Sequence, residues 1–347
     1  MEISYNEQRS ERKNSIAVIV TWFGPLPVYF PAWLRSAECN STIDFYCFFD
    51  HEFKSESSNI HIVNTTMEKE IERISEAVGE KIEISNAYKF CDLRPFFGLG
   101  YQEYIRDYSF WAYCDIDMVF GNLRLFLTDD VLAQYDRFYE YGYLSVFRNN
   151  DKMNHLYGLP GGIYSKKAIF RGKGKCTPEE QYGLYRISVR NGIKWYREKN
   201  FADFYIPYSS YILNQRENYD EQVFYWEDGK VIRAYVEERI VKTDEMAFLH
   251  WQKRRPTITA EALAGNSYYL TPTELVGKVH GVPSQKEINK YNPTLFDKQM
   301  AEQDKAYLNK KTKDFWKTSL SQKMIWIKQK WYFFRENKAL IESKRRK

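Results

Sequence analysis

The chain has 347 residues, of which 44% are hydrophobic and 28% are charged, a composition typical of a globular protein and not of a disordered one. Its five cysteines are odd in number and form no C-x-x-C pair, which argues against a disulfide framework and a structural zinc site and indicates a reducing compartment. The net charge is +5, but residues 301–347 hold 14 lysines and arginines against 5 acidic residues. The remainder is therefore mildly acidic, which argues against nucleic-acid binding.

The first 15 residues are polar and mixed in charge, unlike a signal peptide. Residues 16–34 carry no charge, but one glycine and three prolines within them would break a helix long enough to span a membrane. We therefore interpret "IAVIVTWFG" (16–24) as a buried strand, predict no transmembrane segment and expect a cytoplasmic protein.

Strands and helical segments alternate through the first 120 residues. The segments "DFYCFFD" (44–50) and "IHIV" (60–63) read as strands, and residues 67–82 and 86–105 as helices, the second interrupted near Pro95. "FWAYCDIDMVFGN" (110–122) then predicts a central strand. This alternation indicates an α/β fold with a mainly parallel sheet and crossover helices.

Further along the chain, residues 220–236 predict a hairpin with an Asp-Gly turn, and the segment around Glu179 and Glu180 predicts a helix with a glycine break. Pro256 and the polar residues after it suggest a domain boundary. A lysine-rich helical extension is expected beyond it.

Asp115 and Asp117 follow the apolar run of the central strand, where ligands bind in parallel sheets. A D-x-D pair arises about once by chance in such a chain, so its context carries the argument. In an extended segment both carboxylates project to one side and can face a single Mg²⁺ or Mn²⁺ ion. The alternative is a pair of turn or capping aspartates without a metal.

Four segments in this order, "NAYKFCDLRPFFG", "FWAYCDIDMVFGNL", "LPGGIYSKK" and "LHWQKR", resemble a family of bacterial GT-A-type glycosyltransferases of capsule, exopolysaccharide and lipopolysaccharide assembly. The resemblance covers residues 15–255. It implies a GT-A, Rossmann-like nucleotide-sugar-binding fold with a catalytic domain at 1–258, divided into a nucleotide-binding half (15–125) and an acceptor half (126–258). A basic, mainly helical extension then occupies 259–347.

The resemblance also implies ligands for a divalent metal and for the donor diphosphate. Asp115 and Asp117 would hold the ion, joined by His250, and Lys253 would contact the phosphates. The longer H-x-x-G-x-x-K form of the family is absent, so that Arg254 or Arg255 could take the place of Lys253. The alternative for His250 is simple packing beside its aromatic neighbours.

Other donor-binding residues implied by the resemblance are weaker candidates. Lys89 and Asp92 could bind the donor or form only a surface ion pair. Gly161 and Gly162 could pass close to the sugar or form a plain turn. Thr21 and Phe23 would lie under the base.

An inverting enzyme needs a carboxylate to take the proton of the acceptor hydroxyl. Glu180 is the first candidate for this catalytic base, and Asp220 or Glu221 the second. The alternative for each is an acidic residue favoured by the start of a helix.

Six apolar residues of the C-terminal extension fall within roughly 80° of one another on a helical wheel. They are flanked by lysines, which is typical of a helix lying on an anionic membrane surface, although packing on the catalytic domain explains the pattern equally well. We call these residues the apolar stripe: Trp316, Leu320, Met324, Ile327, Trp331 and Phe334.

The sequence therefore predicts a glycosyltransferase that uses a nucleotide-sugar, in particular a UDP-sugar, with Mn²⁺ or Mg²⁺, and a glycan or lipid-linked oligosaccharide acceptor. Residues 310–347 would place it on the inner face of the cytoplasmic membrane. Two alternatives remain: a haloacid-dehalogenase-type phosphatase with Asp115 as nucleophile, and a non-catalytic carbohydrate-binding protein, which the 17% aromatic content would suit.

Overall fold

The computed structural model describes residues 14–84, 86–205, 212–214, 216–292 and 298–345. The segment 1–13, which we interpret as lacking an export signal, lies outside this part. The chain forms two compact units. Unit 1 contains residues 1–66, 103–153 and 194–307, and unit 2 contains residues 67–102, 154–193 and 308–347.

The strands of the described residues all belong to unit 1. They are β1 (Ile16–Trp22), β2 (Asp44–Phe49), β3 (Ile60–Asn64), β4 (Phe110–Cys114), β5 (Met118–Phe120), β6 (Arg137–Phe138), β7 (Leu144–Arg148), β8 (Trp195–Tyr196), β9 (Ala202–Asp203), β10 (Gln222–Glu227), β11 (Lys230–Glu237), β12 (Ile240–Met246), β13 (Phe248–His250), β14 (Thr257–Ile258), β15 (Ser267–Leu270) and β16 (Glu274–Gly277).

The helices of the described residues are distributed over both units. They are α1 (Phe30–Glu38), α2 (Met67–Val78), α3 (Ala87–Phe90), α4 (Phe97–Gly100), α5 (Gln102–Ile105), α6 (Asp129–Gln134), α7 (Asp151–Asn154), α8 (Lys166–Arg171), α9 (Arg186–Arg190), α10 (Ala260–Ala264), α11 (Gln285–Tyr291), α12 (Lys298–Lys317) and α13 (Leu320–Arg345). Tighter 3₁₀ turns cover Cys91–Phe96, Leu123–Leu125 and Leu156–Gly158, and Gln181–Tyr185 forms a π-helical turn.

A seven-stranded sheet in the order β3-β2-β1-β4-β7-β6-β8 forms the centre of unit 1. The first four strands in this order are parallel, whereas β7 runs antiparallel to β4. β1 and β4 are apolar along nearly their whole length because they are buried on both faces of the sheet. This arrangement confirms the predicted α/β fold with a mainly parallel central sheet.

Large aromatic side chains fix α1 against this sheet. Trp33 of α1 is fully buried, and its ring contacts Phe45 of β2 and Phe120 of β5. Ser36 on the same helix donates a hydrogen bond to the Trp33 carbonyl and accepts one from the Phe120 amide. The helix is thus held at the edge where β4 passes into β5.

A second sheet of six strands, in the order β12-β11-β10-β15-β16-β14, also lies in unit 1. The predicted hairpin is confirmed: β10 and β11 pair antiparallel, and Asp228 and Gly229 at the turn have φ of 47° and 82°. Strands β14, β15 and β16 (257–277) continue this sheet beyond Pro256.

The chain is therefore divided differently from the domains that we predicted. Residues 259–292 supply two strands of the six-stranded sheet as well as α10 and α11, and unit 2 is built from three separate stretches. A functional division at residue 258 stays a prediction.

The regular elements of unit 2 among the described residues are all helices or helical turns, joined by irregular segments. The predicted helix at 86–105 is divided into short pieces, with Pro95 inside a 3₁₀ turn because its ring cannot continue an α-helix. No helix among the described residues is both long enough and apolar enough to cross a membrane. The five cysteines all lie in the described residues, and none of them forms a disulfide bond.

Candidate metal centre

Three of the predicted ligands meet at one point of unit 1. Single oxygen or nitrogen atoms of Asp115, Asp117 and His250 all lie within 4.8 Å of one another. The His250 Nε2 atom is 3.3 Å from Asp117 Oδ1 and 4.0 Å from Asp115 Oδ2. The structure thus brings the D-x-D pair and the predicted histidine together.

Backbone pairing between strands far apart in the chain produces this meeting. β4 ends at Cys114, and the Asp115 amide extends its ladder by donating to the Tyr143 carbonyl at 2.8 Å. β5 pairs antiparallel with β13, so that the Trp251 amide donates to the Asp117 carbonyl at 2.9 Å. The aspartates and His250 are therefore fixed by the sheets and not by a flexible loop.

Asp203 orients the imidazole of His250. Its Oδ1 atom is 2.8 Å from His250 Nδ1, and both side chains are buried. Because an ionised carboxylate can only accept, Nδ1 carries the proton, and Nε2 is directed at the D-x-D aspartates. A carboxylate behind a histidine is the usual support of a metal-binding imidazole.

Two amide side chains hold the other oxygen of Asp203. Asn214 Nδ2 and Gln252 Nε2 donate to Oδ2 at 2.9 and 3.0 Å. The parallel pairing of β9 with β13 places Asp203 beside His250. Three hydrogen bonds therefore compensate the burial of this carboxylate.

The carboxylates create a field that favours positive charge at Nε2. Burial by itself lowers the pKa of His250, but Asp117 and then Asp203 raise it well above its usual value. Burial by itself raises the pKa of Asp117, yet His250 and the Lys253 amide hold it below its usual range. A cation is therefore stabilised at this position.

Aromatic rings form the walls of the centre. The Tyr143 ring lies 5.3 Å from the His250 ring, and behind it Phe201 and Phe248 stack 4.8 Å apart. Tyr29, which precedes α1, packs 5.8 Å from Trp251. Burial, followed by the charge of Asp117, raises the pKa of the Tyr29 phenol, which therefore stays neutral beside the carboxylates.

The three basic residues after His250 have different environments. The Lys253 amide donates to Asp117 Oδ2 at 3.0 Å, in a turn where Lys253 has a φ of 65°. The Arg254 guanidinium donates to the carbonyls of Trp251 and Tyr205 and lies over the Phe204 ring. The Arg255 side chain is exposed and lies near enough to Tyr29 to lower the pKa of its phenol.

The other predicted residues of unit 1 are distributed over two regions. Thr21 lies at the end of β1, the parallel neighbour of β4, so it shares a sheet edge with Asp115, and Phe23 follows it. Asp220 and Glu221 precede β10, where the Glu221 carboxylate accepts from Gln285 Nε2 at 2.7 Å. Their donor-binding and catalytic roles stay predictions.

Lys89 and Asp92 form a buried ion pair in unit 2, with Nζ 2.8 Å from Oδ2. Lys89 also donates to the Gly174 carbonyl at 2.8 Å, and the Asp92 oxygens accept from the amides of Cys176 and Thr177. The surface ion pair that we considered is thus a buried one, and it anchors residues 174–177.

This anchored segment leads directly to the two predicted acidic residues. Glu179 is buried, and its Oε2 atom has no hydrogen-bond partner among the described residues. Burial, with Glu180 beside it, raises the pKa of Glu179 to about 8. Glu180 directly precedes the π-helical turn, a feature that is frequent at functional sites.

Gly161 and Gly162 lie against α9 in unit 2. Gly161 has a φ of 139°, as the glycine pair predicted, and its carbonyl accepts from the Arg186 guanidinium. A Cβ atom at Gly162 would lie 3.2 Å from Ile187 Cδ1. Contact with a sugar stays a prediction for both glycines.

Asp203 and Tyr29 are the members of the centre that the sequence analysis missed. A local signal for Asp203 existed, because "FADF" (201–204) places a carboxylate in an apolar run just as "YCDIDMVF" does. Tyr29 had no such signal in a chain with 28 tyrosines.

Searches for similar proteins give limited information about this site. No curated protein matches the sequence. Among the solved structures, a complex of the galactosyltransferase LgtC with donor and acceptor sugar analogues is 11% identical, with a TM-score of 0.33 over 54% of this chain and 75% of that one. An active-site mutant of LgtC has 11% identity and a TM-score of 0.34 over 54% and 74%. We therefore argue the function from the residues of this chain.

The sequence also matches a protein family, described as "Family of unknown function (DUF6625)", over residues 18–279. The match includes the strands of both large sheets and the complete Asp115, Asp117, His250 and Asp203 arrangement. It ends before α12 and α13. This chain belongs to the DUF6625 family.

Proposed function

We propose that this protein is a metal-dependent glycosyltransferase of GT-A type that transfers a sugar from a nucleotide-sugar, in particular a UDP-sugar, to a hydroxyl group of a glycan. One observation carries the proposal: Asp115, Asp117 and His250 converge at the carboxyl edge of a mainly parallel sheet, with Asp203 supporting the histidine. Such edges are where α/β folds bind ligands.

The donor atoms of the centre fit Mn²⁺ or Mg²⁺. Carboxylate oxygens suit both ions, and the imidazole nitrogen of His250 favours the transition metal Mn²⁺. When bound, the ion would supply positive charge to the donor diphosphate as the nucleoside diphosphate departs. Asp203 and the backbone of Lys253 would keep the ligands in place.

Side-chain cations near the centre would bind the same phosphates. Arg255 is the best candidate because its side chain is exposed and lies near Tyr29. Arg254 is committed to backbone carbonyls, and Lys253 contributes its amide to Asp117. Stabilisation of negative charge on a departing phosphate is commonly a large part of catalysis.

The acceptor hydroxyl would lose its proton to Glu180 if the reaction inverts the anomeric centre. The buried Lys89–Asp92 pair supports this choice because it fixes the segment that leads to Glu180. Glu221 already accepts a hydrogen bond from Gln285, which makes it, with Asp220, the second candidate. Thr21 and Phe23 would bind the base, and Gly161 and Gly162 the sugar.

We further propose that the acceptor is a growing surface glycan or a lipid-linked oligosaccharide of a capsule, exopolysaccharide or lipopolysaccharide pathway, modified in the cytoplasm. The motif resemblance over residues 15–255 supports this acceptor class, and the basic C-terminal region is consistent with a substrate held at a membrane.

The proposal is tested by melting the protein with UDP, GDP and a panel of nucleotide-sugars, each with Mn²⁺ and with EDTA. A ligand whose concentration is about 100 times its dissociation constant raises the free energy of unfolding by about 2.7 kcal/mol. This increase is visible as a higher melting temperature. We expect a shift with UDP and one UDP-sugar that disappears in EDTA.

The phosphatase alternative would give a different result in the same experiment. It predicts no response to any nucleotide and metal-dependent hydrolysis of a simple phosphate monoester. The D-x-D aspartates follow β4, the fourth strand along the chain, whereas that family places its motif on the first strand. A carbohydrate-binding protein without enzymatic activity would respond to sugars alone.

A further inference from the structure

We propose that the outward face of α13 is a docking surface for an anionic lipid bilayer. This inference goes beyond the transferase function and does not depend on it. It rests on the apolar stripe, on the charges around the stripe and on the way in which α13 is attached to the rest of unit 2.

All six residues of the apolar stripe are exposed. Exposure is 72% for Trp316, 76% for Leu320 and 64% for Phe334, and the other three lie between 53% and 58%. From Leu320 onward they follow a spacing of four, three, four and three residues, which keeps them on one side of the helix. Exposed aromatic and apolar residues in a contiguous row indicate an interaction surface.

The opposite side of α13 is already occupied. The Gln322 side chain bonds to the amide and the carbonyl of Lys175, at 2.8 and 3.1 Å. Gln329 donates to the Tyr164 hydroxyl at 2.6 Å, and Tyr332 lies under the Arg186 guanidinium. Ile325 lies on this side as well, next to Gly174. Because this side of the helix packs on unit 2, the apolar stripe is turned away from that unit. Packing of the stripe on unit 2 is therefore excluded by the structure.

Basic side chains border the stripe. Lys323 Nζ lies 5.7 Å from the centre of the Trp316 ring, and the Arg335 guanidinium lies 5.2 Å from that of Trp331. The surrounding residues 301–347 carry a net charge of +9. Basic residues near an anionic bilayer are attracted to it, and tryptophans prefer the interfacial layer.

A second copy of the chain is the competing occupant, because the spacing of the stripe also matches a coiled-coil seam. The stripe on α13 extends over only two heptads, whereas a coiled coil generally needs three or four. A two-fold dimer would also bring two identical basic helices together. An anionic bilayer would bury the apolar side chains of the stripe, and its headgroups would attract the basic residues beside it.

The test is co-sedimentation of the full-length protein with vesicles of phosphatidylcholine alone and of phosphatidylcholine mixed with phosphatidylglycerol. We expect binding to the mixed vesicles, weakened by salt, and little binding to the neutral ones. The Trp331→Ser/Phe334→Ser variant should lose about tenfold or more in vesicle affinity. The matched control, Val279→Ser/Val282→Ser, removes two exposed apolar residues of unit 1 and should bind like the wild type.

Absence of binding to the anionic vesicles would overturn the proposal, as would unchanged binding by the stripe variant. A wild-type dimer that the stripe variant converts into a monomer, with no vesicle binding, would assign the surface to a second copy. The two proposals fail separately: Asp117→Asn should still bind vesicles, and the stripe variant should still show the UDP-dependent melting shift.

Discussion

Asp203 and His250 form a buried hydrogen bond of 2.8 Å between Oδ1 and Nδ1, although they are 47 residues apart in the chain. This bond fixes the tautomer of the imidazole and directs Nε2 at Asp117, 3.3 Å away. The candidate centre therefore consists of three groups that could hold a metal ion and one supporting carboxylate.

Replacing the supporting carboxylate should weaken metal binding without removing a ligand. We expect Asp203→Asn to reduce Mn²⁺ affinity about 10- to 100-fold, the usual cost of losing such a partner. Calorimetric titration with Mn²⁺ measures this directly. Asp228→Asn, in the exposed hairpin turn, is the matched control and should leave the affinity unchanged.

Asp117→Asn should abolish metal-dependent binding of the nucleotide while keeping the fold. The amide oxygen can still accept from the Lys253 amide, so the local turn is retained, but the negative charge for the ion is lost. We expect turnover to fall about a hundredfold or more. Circular dichroism checks the fold, and full activity in this variant would remove the metal assignment.

Arg254 and Arg255 should respond differently to substitution, although they are adjacent. Arg255→Gln is expected to raise KM for the nucleotide-sugar with an unchanged melting temperature, because its side chain is exposed. Arg254→Gln should lower the melting temperature, because it removes two hydrogen bonds to backbone carbonyls. The reverse pattern would transfer the phosphate role to Arg254.

Stability should decrease as the pH rises from about 4 to about 8 because of Glu179. Burial and the neighbouring Glu180 raise its pKa to about 8 in the folded protein, whereas an unfolded glutamate titrates near about 4.3. A raised folded pKa gives stability that is fully present below the unfolded pKa and lost as the pH rises through the folded one. The melting temperature should therefore fall from about pH 4 to about pH 8 and level off at higher pH.

Glu179→Gln keeps the shape of the neutral acid and should flatten this pH dependence. Glu76→Gln, on the exposed side of α2, should keep the profile of the wild type. Parallel profiles for wild type and Glu179→Gln would show that Glu179 is not the group responsible.

Gly121 should tolerate no side chain because β5 passes very close to the end of β12. A Cβ atom there would lie 2.3 Å from the Met246 carbonyl oxygen. We expect Gly121→Ala to destabilise the protein by about 1–3 kcal/mol, as forced overpacking commonly does. Urea unfolding measures the loss, and Gly158→Ala, with open space around it, is the control.

The two aspartates of the candidate metal centre could be predicted from the sequence because they follow an apolar strand, whereas His250 was predicted from the motif resemblance. Asp115 and Asp117 interrupt a run that has to be buried, and such an interruption needs a partner. Asp203 carries a similar signal, but its partner is determined by the pairing of β9 with β13, a contact that local periodicity does not contain.

The position of strands β14–β16 and the orientation of the apolar stripe also depend on contacts between residues far apart in the chain. The strands β14–β16 follow Pro256, where the composition becomes polar, and they belong to a sheet whose other strands begin at residue 222. The apolar stripe was visible on the helical wheel. The contacts of Gln322 and Gln329 on the other side of α13 show that the stripe faces away from unit 2, which the wheel could not show.

The most direct test of the account is the release of UDP from a panel of UDP-sugars by the purified protein, measured with Mn²⁺ and with EDTA. We predict release from one UDP-sugar that requires Mn²⁺ and is lost in Asp117→Asn. Release that is equal in EDTA, or that persists in Asp117→Asn, would contradict the assignment of Asp115, Asp117 and His250 as a metal centre for a nucleotide-sugar.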